Sequence, residues 1–215
     1  MEEISEEKQI LNPLKVNGKF GYIDKTGRFV INPQFNRAQN FSEGLAAVQI
    51  GDKWGYIDKT GRLVISPKFD GAVIFSEGLA PVQVGNKWGY IDKTGRLIVN
   101  LQFDKVDYLS VRGFHSFSEG LAAVQIGDKW GYIDKTGRFV INPQFEDLGG
   151  DFREELSIAQ IGGKYGYIDK TGRFVINPQF DQAYNFSEGL ALVTIGEKTG
   201  YINKTGKIIA MGENF

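Results

Sequence analysis

The sequence predicts an all-β protein made of tandem repeats of about 34 residues, each folded as an antiparallel meander of three to four strands. Glycine is abundant, with 28 residues among 215, and no segment keeps a 3.6-residue apolar period over ten residues. The heptapeptide Gly-Tyr-Ile-Asp-Lys-Thr-Gly recurs throughout the chain, the last time with asparagine in place of aspartate. Its copies begin at Gly21, Gly55, Gly89, Gly131, Gly166 and Gly200.

The strands of one repeat follow from its turn residues. An apolar strand over residues 45–50 is followed by a Gly-Asp turn, and a second strand covers residues 54–58. Asp58 can accept hydrogen bonds from amides two residues on and Gly61 can take a positive φ, so we expect a hairpin turn here. The third strand is expected over residues 62–65, and Pro67 is expected to stop it.

The remaining segment of the repeat, residues 69–78, is interpreted as a short fourth strand or a packed loop. Each repeat carries about ten apolar side chains and cannot enclose them alone, so neighbouring repeats must stack.

Six such units fit two architectures. A six-bladed β-propeller is favoured, and an open β-solenoid is the alternative. Residues 1–10 are interpreted as an N-terminal tail before a single repeat domain over residues 11–215. The predicted units are residues 11–44, 45–78, 79–120, 121–155, 156–189 and 190–215.

Composition excludes several classes of function. The 25 basic and 26 acidic residues nearly cancel, which argues against a nucleic-acid partner and against binding to an anionic membrane. There is no cysteine and no apolar run of membrane-spanning length, so we expect no thiolate metal site and no membrane insertion. The acidic N-terminus lacks a signal sequence, so a cytoplasmic location is the default expectation; an extracellular one requires a removed signal.

The run Asp52-Lys53-Trp54-Gly55-Tyr56-Ile57-Asp58-Lys59-Thr60-Gly61, followed by Pro67 and Phe75-Ser76-Glu77-Gly78-Leu79-Ala80, resembles the WG (KWG) repeat family of bacterial proteins. The resemblance extends from about Leu11 to Ile209. It implies a binding or scaffolding repeat protein and assigns no catalytic residue, metal or cofactor.

The recurring aromatic residues have two interpretations. A tryptophan surface can stack on sugars, whereas packing between repeats is favoured because Phe20 and Tyr165 occupy the same position in other units. The residues assigned to this structural set are Trp54, Trp88, Trp130, Tyr56, Tyr90 and Tyr132.

The recurring acids are interpreted as turn residues. The aspartates of the heptapeptide, such as Asp58, are expected to cap their own turn, and the glutamates of the Ser-Glu-Gly motif, such as Glu43, are expected to sit in another. Near-identical repeats supply near-identical environments, which is unlike the paired carboxylates of an acid-base enzyme. His115, the single histidine, is expected to be a surface-loop residue. No enzymatic activity and no cofactor are therefore predicted.

Function is predicted to lie in five segments that vary while the framework stays constant; we call them the variable segments. They are residues 36–40, 70–74, 104–116, 146–153 and 181–185. We expect them to bind a protein or a glycan; the alternative is a structural subunit or domain of a larger assembly. The candidate contact residues are Arg37, Gln39, Val73, Ile74, Tyr108, Phe114, His115, Phe152, Arg153 and Tyr184.

Overall fold

The chain is all-β in the computed structural model, which describes residues 10–107, 116–149 and 151–213. It divides into two compact units, Met1–Gln102 and Phe103–Phe215. The described residues form six antiparallel sheets of three or four strands, one per repeat. The predicted all-β tandem-repeat fold is confirmed.

The strands of the first three sheets have the following bounds. The first sheet contains β1 (Asn12–Val16), β2 (Lys19–Ile23) and β3 (Phe29–Phe35). The second contains β4 (Arg37–Ala38), β5 (Leu45–Ile50), β6 (Lys53–Asp58) and β7 (Leu63–Phe69). The third contains β8 (Gly71–Ala72), β9 (Ala80–Val84), β10 (Lys87–Ile91) and β11 (Leu97–Phe103).

The other three sheets repeat the four-stranded pattern. The fourth contains β12 (Lys105–Val106), β13 (Ala122–Ile126), β14 (Lys129–Ile133) and β15 (Phe139–Phe145). The fifth contains β16 (Asp147–Leu148), β17 (Ser157–Ile161), β18 (Lys164–Ile168) and β19 (Phe174–Phe180). The sixth contains β20 (Gln182–Ala183), β21 (Leu190–Ile195), β22 (Lys198–Asn203) and β23 (Ile208–Glu213).

The short strand of each four-stranded sheet comes from the segment that was interpreted from the sequence as either a fourth strand or a packed loop. Gly71–Ala72 is a strand, but it pairs with β9 of the following repeat, with Gly71 opposite Gln83 and Ala72 opposite Val82. The hydrogen-bonded sheets therefore begin at the short strand, several residues before the sequence units do. This pairing links each repeat to the next through the backbone.

A bulge in the third long strand explains the glycine of the Trp-Gly-Tyr motif. Trp54 lies opposite Phe69 and Tyr56 opposite Ile65, so two steps along β6 face four steps along β7. A Cβ atom on Gly55 would lie 2.5 Å from the Ile65 carbonyl oxygen and 2.8 Å from the Pro67 nitrogen. The expectation that Pro67 ends this strand is wrong: β7 continues to Phe69, because the bulge accommodates a residue that lacks an N–H.

The Ser-Glu-Gly turn has type I′ geometry. Glu43 and Gly44 have φ values of 51° and 89°, and Ser42 and Leu45 exchange both backbone hydrogen bonds. Glu155, in the fifth sheet, departs from the motif because it holds a φ of 74° where the other turns have glycine. A non-glycine residue there carries a backbone strain of about 1 kcal/mol.

The core lies between successive sheets. In the first unit, Ala46, Val48 and Ile57 of the second sheet pack on Tyr22 and Ile31 of the first. In the second unit, Ala191, Val193 and Ile202 pack in the same manner on Tyr167 and Ile176. Alternate residues of one strand therefore face opposite neighbours, as the period of two predicts.

We expect Gly55→Ala to destabilise the protein by about 2–4 kcal/mol, because the new methyl group collides with the β7 backbone rather than with a movable side chain. Urea unfolding measures the change. Gly212→Ala is the matched control, since a Cβ there has nothing within 4 Å. Equal midpoints for the two variants would contradict the bulge explanation.

Candidate binding site in the variable segments

The first residue of each variable segment belongs to the framework. Its side-chain oxygen accepts a hydrogen bond from a turn glycine amide at the end of the following strand. Asp70 accepts from Gly85 at 2.7 Å, and Glu146 accepts from Gly163 at 3.1 Å. The same bond is made by Asn36, Asp104 and Asp181. Aspartate, asparagine and glutamate all act as the hydrogen-bond acceptor at this position. The variation among them therefore does not indicate a ligand-binding role.

The predicted contact residues of the first unit differ in burial. Arg37 is exposed and Ile74 is half-buried. Gln39 is half-buried, and its Nε2 donates to the Ala72 carbonyl oxygen at 3.0 Å, which ties two sheets together. Val73 is only 5% exposed and its carbonyl accepts the Tyr56 hydroxyl, so its side chain serves packing.

The predicted contact residues of the second unit also divide into two groups. Phe152 is 1% exposed and packs against the Tyr132 ring, which leaves it no surface for a ligand. Arg153 and Tyr184 are half-buried at the ends of their segments. Tyr108, Phe114 and His115 lie outside the described residues.

The variable segments share one row of equivalent positions, of which only Ile74 was predicted from the sequence as a contact residue. The residue before the phenylalanine of each Phe-Ser-Glu-Gly motif, or its variant, is polar in four repeats and apolar in one. The row consists of Asn40 and Ile74 in the first unit and Ser116, Asp151 and Asn185 in the second. Ser116 is 4% exposed, and neither its Oγ nor the buried Oδ1 of Asn185 has a hydrogen-bond partner among the described residues. Buried polar atoms are normally paired, so these two are exceptions to the usual pattern.

A carboxylate pair stands at the same place in the second unit. Burial and, to a smaller extent, the Asp107 carboxylate raise the pKa of Asp151 to about 7, against the opposing effect of the Arg153 guanidinium. Burial also raises the pKa of the Tyr132 hydroxyl, and both aspartates add to that shift. Asp107, Asp151 and Tyr132 are therefore close enough to interact electrostatically. Both carboxyl groups come from variable segments, 44 residues apart in sequence.

Ser157 changes the junction beside this pair. The Tyr132 hydroxyl and the Ser157 hydroxyl lie 2.7 Å apart, and either can donate. The equivalent residues in other repeats, such as Ala46 and Ala191, offer no hydroxyl. The fourth and fifth sheets thus bring two carboxyl groups and two hydroxyls into one region.

The recurring aspartates have the turn role that the sequence predicted. Asp58 Oδ1 accepts from the amides of Thr60 and Arg62 and from the Thr60 hydroxyl. Asn203 makes the same three contacts in the sixth repeat. Within the described ranges, no group of three or more histidine or acidic residues is placed to hold a metal ion.

The tryptophans are placed between sheets. Trp54 and Trp88 are 9% and 7% exposed, and Trp130 is half-buried. Tyr56, Tyr90 and Tyr132 are at most 1% exposed. These positions fit repeat packing better than a sugar-stacking surface. The part of the chain that the structure describes contains no helix of the length and apolarity needed to cross a bilayer.

The chain belongs to the WG repeat family. The family described as WG containing repeat matches five consecutive segments, residues 20–54, 54–88, 88–130, 130–165 and 165–198. No curated protein sequence matches the chain significantly.

Solved structures of similar fold include BamB from Moraxella catarrhalis, at 11% identity and a TM-score of 0.56, over 96% of this chain and 73% of that one. Hsv2 from Kluyveromyces lactis aligns at 11% identity and a TM-score of 0.50, over 80% of this chain and 61% of that one. A streptogramin B lyase aligns at 17% identity and a TM-score of 0.50, over 98% of this chain and 81% of that one. BamB and Hsv2 are β-propeller proteins, so the sheets are of the propeller type. At these identities the likeness shows the fold alone.

We expect Asp151→Asn to stabilise the protein above pH 7 and to have little effect near pH 4. The folded-state pKa of about 7 exceeds the ~3.9 of an unfolded aspartate, so wild-type stability falls as pH rises through this window. The variant, which cannot ionise, should gain about 1–2 kcal/mol at pH 8. Thermal unfolding at pH 4, 6 and 8 measures this, with the exposed Asp52→Asn as the control. Parallel pH profiles for Asp151→Asn and wild type would contradict the assignment.

Proposed function

We propose that this chain is a non-enzymatic recognition module that binds a protein or a glycan through its variable segments. The observation that carries the proposal is that the variable segments of the second unit contain an interacting pair of carboxyl groups, Asp107 and Asp151. They also contain two buried polar atoms, Ser116 Oγ and Asn185 Oδ1, that have no hydrogen-bond partner among the described residues. A fold that leaves such groups unpaired loses stability, whereas a ligand that pairs them binds more tightly.

The chemistry of this surface suits a ligand with hydroxyl, amide or cationic groups. The Asp151 carboxyl can donate when protonated and accept when ionised, and its pKa of about 7 makes both forms accessible near neutrality. The Ser116 hydroxyl can donate or accept, and Asn185 Oδ1 accepts. Sugar hydroxyls, or lysine and asparagine side chains of a protein, match these groups.

Other classes of function have less support. The turn aspartates accept hydrogen bonds within their own turns, and the described residues contain no repeated pair of acids in contrasting environments. A net charge of −1 does not favour a nucleic-acid partner. The proposal therefore includes no catalysis, no cofactor and no membrane insertion.

A screen of the purified chain against a glycan array and a peptide library, followed by calorimetry on the strongest ligand, tests the proposal. We expect Ser116→Ala, Asp151→Asn and Asn185→Ala each to weaken binding about tenfold. The controls are Asn142→Ala and Asn177→Ala, exposed positions of β15 and β19 outside the variable segments, which should leave the Kd unchanged.

Two results would contradict the proposal. One is that no arrayed glycan or peptide binds. The other is that the framework controls weaken binding as much as the variants in the variable segments.

A further inference from the structure

Each junction between successive sheets within a unit is built in the same way. The tyrosine of one sheet is covered by the phenylalanine that precedes the next turn motif, with ring centroids 4.8 to 5.0 Å apart. The pairs are Tyr22 with Phe41, Tyr56 with Phe75, Tyr132 with Phe152 and Tyr167 with Phe186. The Asp-Lys-Thr-Gly turn of the next sheet also packs against an isoleucine of the sheet before it. Gly61, for example, lies next to the Ile31 side chain.

A charged contact ties the same sheets together. Glu43, in the type I′ turn of the second sheet, lies 3.2 Å from Lys93 of the third and accepts a bond from the Gly78 amide. Glu154 of the fifth sheet contacts Lys204 of the sixth at 2.8 Å. Glu119 and Lys170 form the third such pair, at 2.9 Å. In each case the glutamate of one sheet therefore forms an ion pair with the turn lysine of the next sheet.

The sixth sheet has the same tyrosine and the same turn glutamate, but among the described residues no further sheet packs on them. Tyr201 is 47% exposed, although its five equivalents are at most 1% exposed. Ala210, equivalent to Ile31, is also exposed. Among the described residues, Glu188 has no ion-pair partner, although it is equivalent to Glu43 and adopts the same backbone conformation, with a φ of 53°.

The first sheet exposes the residues that, in the other sheets, pack against the sheet before them. Leu14 is 41% exposed, whereas the equivalent Val48, Val82 and Val193 are fully buried against a preceding sheet. A Cβ on Gly27 would meet nothing within 4 Å, whereas a Cβ on the equivalent Gly61 or Gly206 would contact an isoleucine of the preceding sheet. Lys25, equivalent to Lys93, has no ion-pair partner in the described part of the chain.

We propose that the sixth sheet of one molecule packs against the first sheet of a second copy of this chain. The contact places Leu14 and Gly27 of one copy over Tyr201 and Ala210 of the other, and it pairs Lys25 with Glu188. This surface is separate from the variable segments, so the inference does not depend on the proposed recognition function.

The interface is heterologous, because the two copies contribute different faces. Each added copy therefore leaves one face of each kind free. The described part of the first sheet has no equivalent of Phe41 to cover Tyr201. The contact is accordingly weaker than an internal junction, and we expect a Kd in the micromolar range.

Sedimentation velocity of the full chain over a concentration series tests the proposal. Wild type should shift from the 24.0 kDa monomer to larger species as concentration rises. Leu14→Arg blocks the first-sheet face and Tyr201→Arg blocks the sixth-sheet face, so each variant alone should remain monomeric. An equimolar mixture keeps one intact face of each kind and should form a dimer of about twice the monomer mass.

A charge exchange gives a second measurement on exposed side chains. Glu188→Lys should weaken self-association about tenfold or more, and mixing it with Lys25→Glu should restore association into the larger species that wild type forms, because both contacts between the two variants again pair opposite charges. Val175→Arg, on the exposed side of β19, is the control and should associate like wild type. Circular dichroism establishes that each variant is folded.

Three results would overturn the proposal. The first is a wild-type monomer at every concentration, and the second is association that neither arginine variant affects. The third is a mixture of Leu14→Arg and Tyr201→Arg that stays monomeric.

Discussion

The burial of a recurring tyrosine beneath the next sheet, as at Tyr22, Tyr56 and Tyr167, is the interaction on which the rest of the structure depends. Tyr56 is fully buried, its ring packs on Phe75, and its hydroxyl donates to the Val73 carbonyl at 2.7 Å. Tyr22 and Tyr167 make the equivalent bonds to Gln39 and Tyr184. Each bond links residues 17 positions apart, across the boundary between two sheets. The tyrosine ring therefore contributes buried apolar area between the two sheets, and its hydroxyl group fixes their relative position through a hydrogen bond.

The glycine before this tyrosine brings the middle and third strands together. Because Gly55 has no Cβ, the bulged backbone of β7 can approach β6 at Ser66 and Pro67. The bulge lets Ile65 and Phe69 pair with Tyr56 and Trp54, so that the core residues of the second sheet meet the third sheet. The Trp-Gly-Tyr motif is therefore a packing device, and its repetition says little about ligands.

The sequence was a good guide wherever a contact is local. The heptapeptide turn follows from Asp58 and its neighbours, because every atom involved lies within four residues. Contacts between repeats were not predictable, since they depend on how the sheets stack. Glu43 was expected to serve its own turn, yet its carboxylate reaches Gly78 and Lys93 of the next sheet.

The candidate site was predictable only as a region. Asp107 and Asp151 lie in segments chosen from the sequence, but nothing in a linear pattern shows that two carboxyl groups 44 residues apart will meet. Val73 and Phe152 lie in the same segments and face the core. Buried and half-buried residues alternate in these segments. The sequence does not reveal this alternation, because segments of this length are too short to show a hydrophobic period.

The separate roles of the tyrosine ring and its hydroxyl can be measured by comparing Tyr56→Phe with Tyr201→Phe in urea unfolding. The account predicts a loss of about 1–2 kcal/mol for Tyr56→Phe, because the buried Val73 carbonyl loses its donor. It predicts a change below about 0.5 kcal/mol for Tyr201→Phe, whose ring is 47% exposed. Equal losses for the two variants would contradict the claim that the buried tyrosine bond holds successive sheets together.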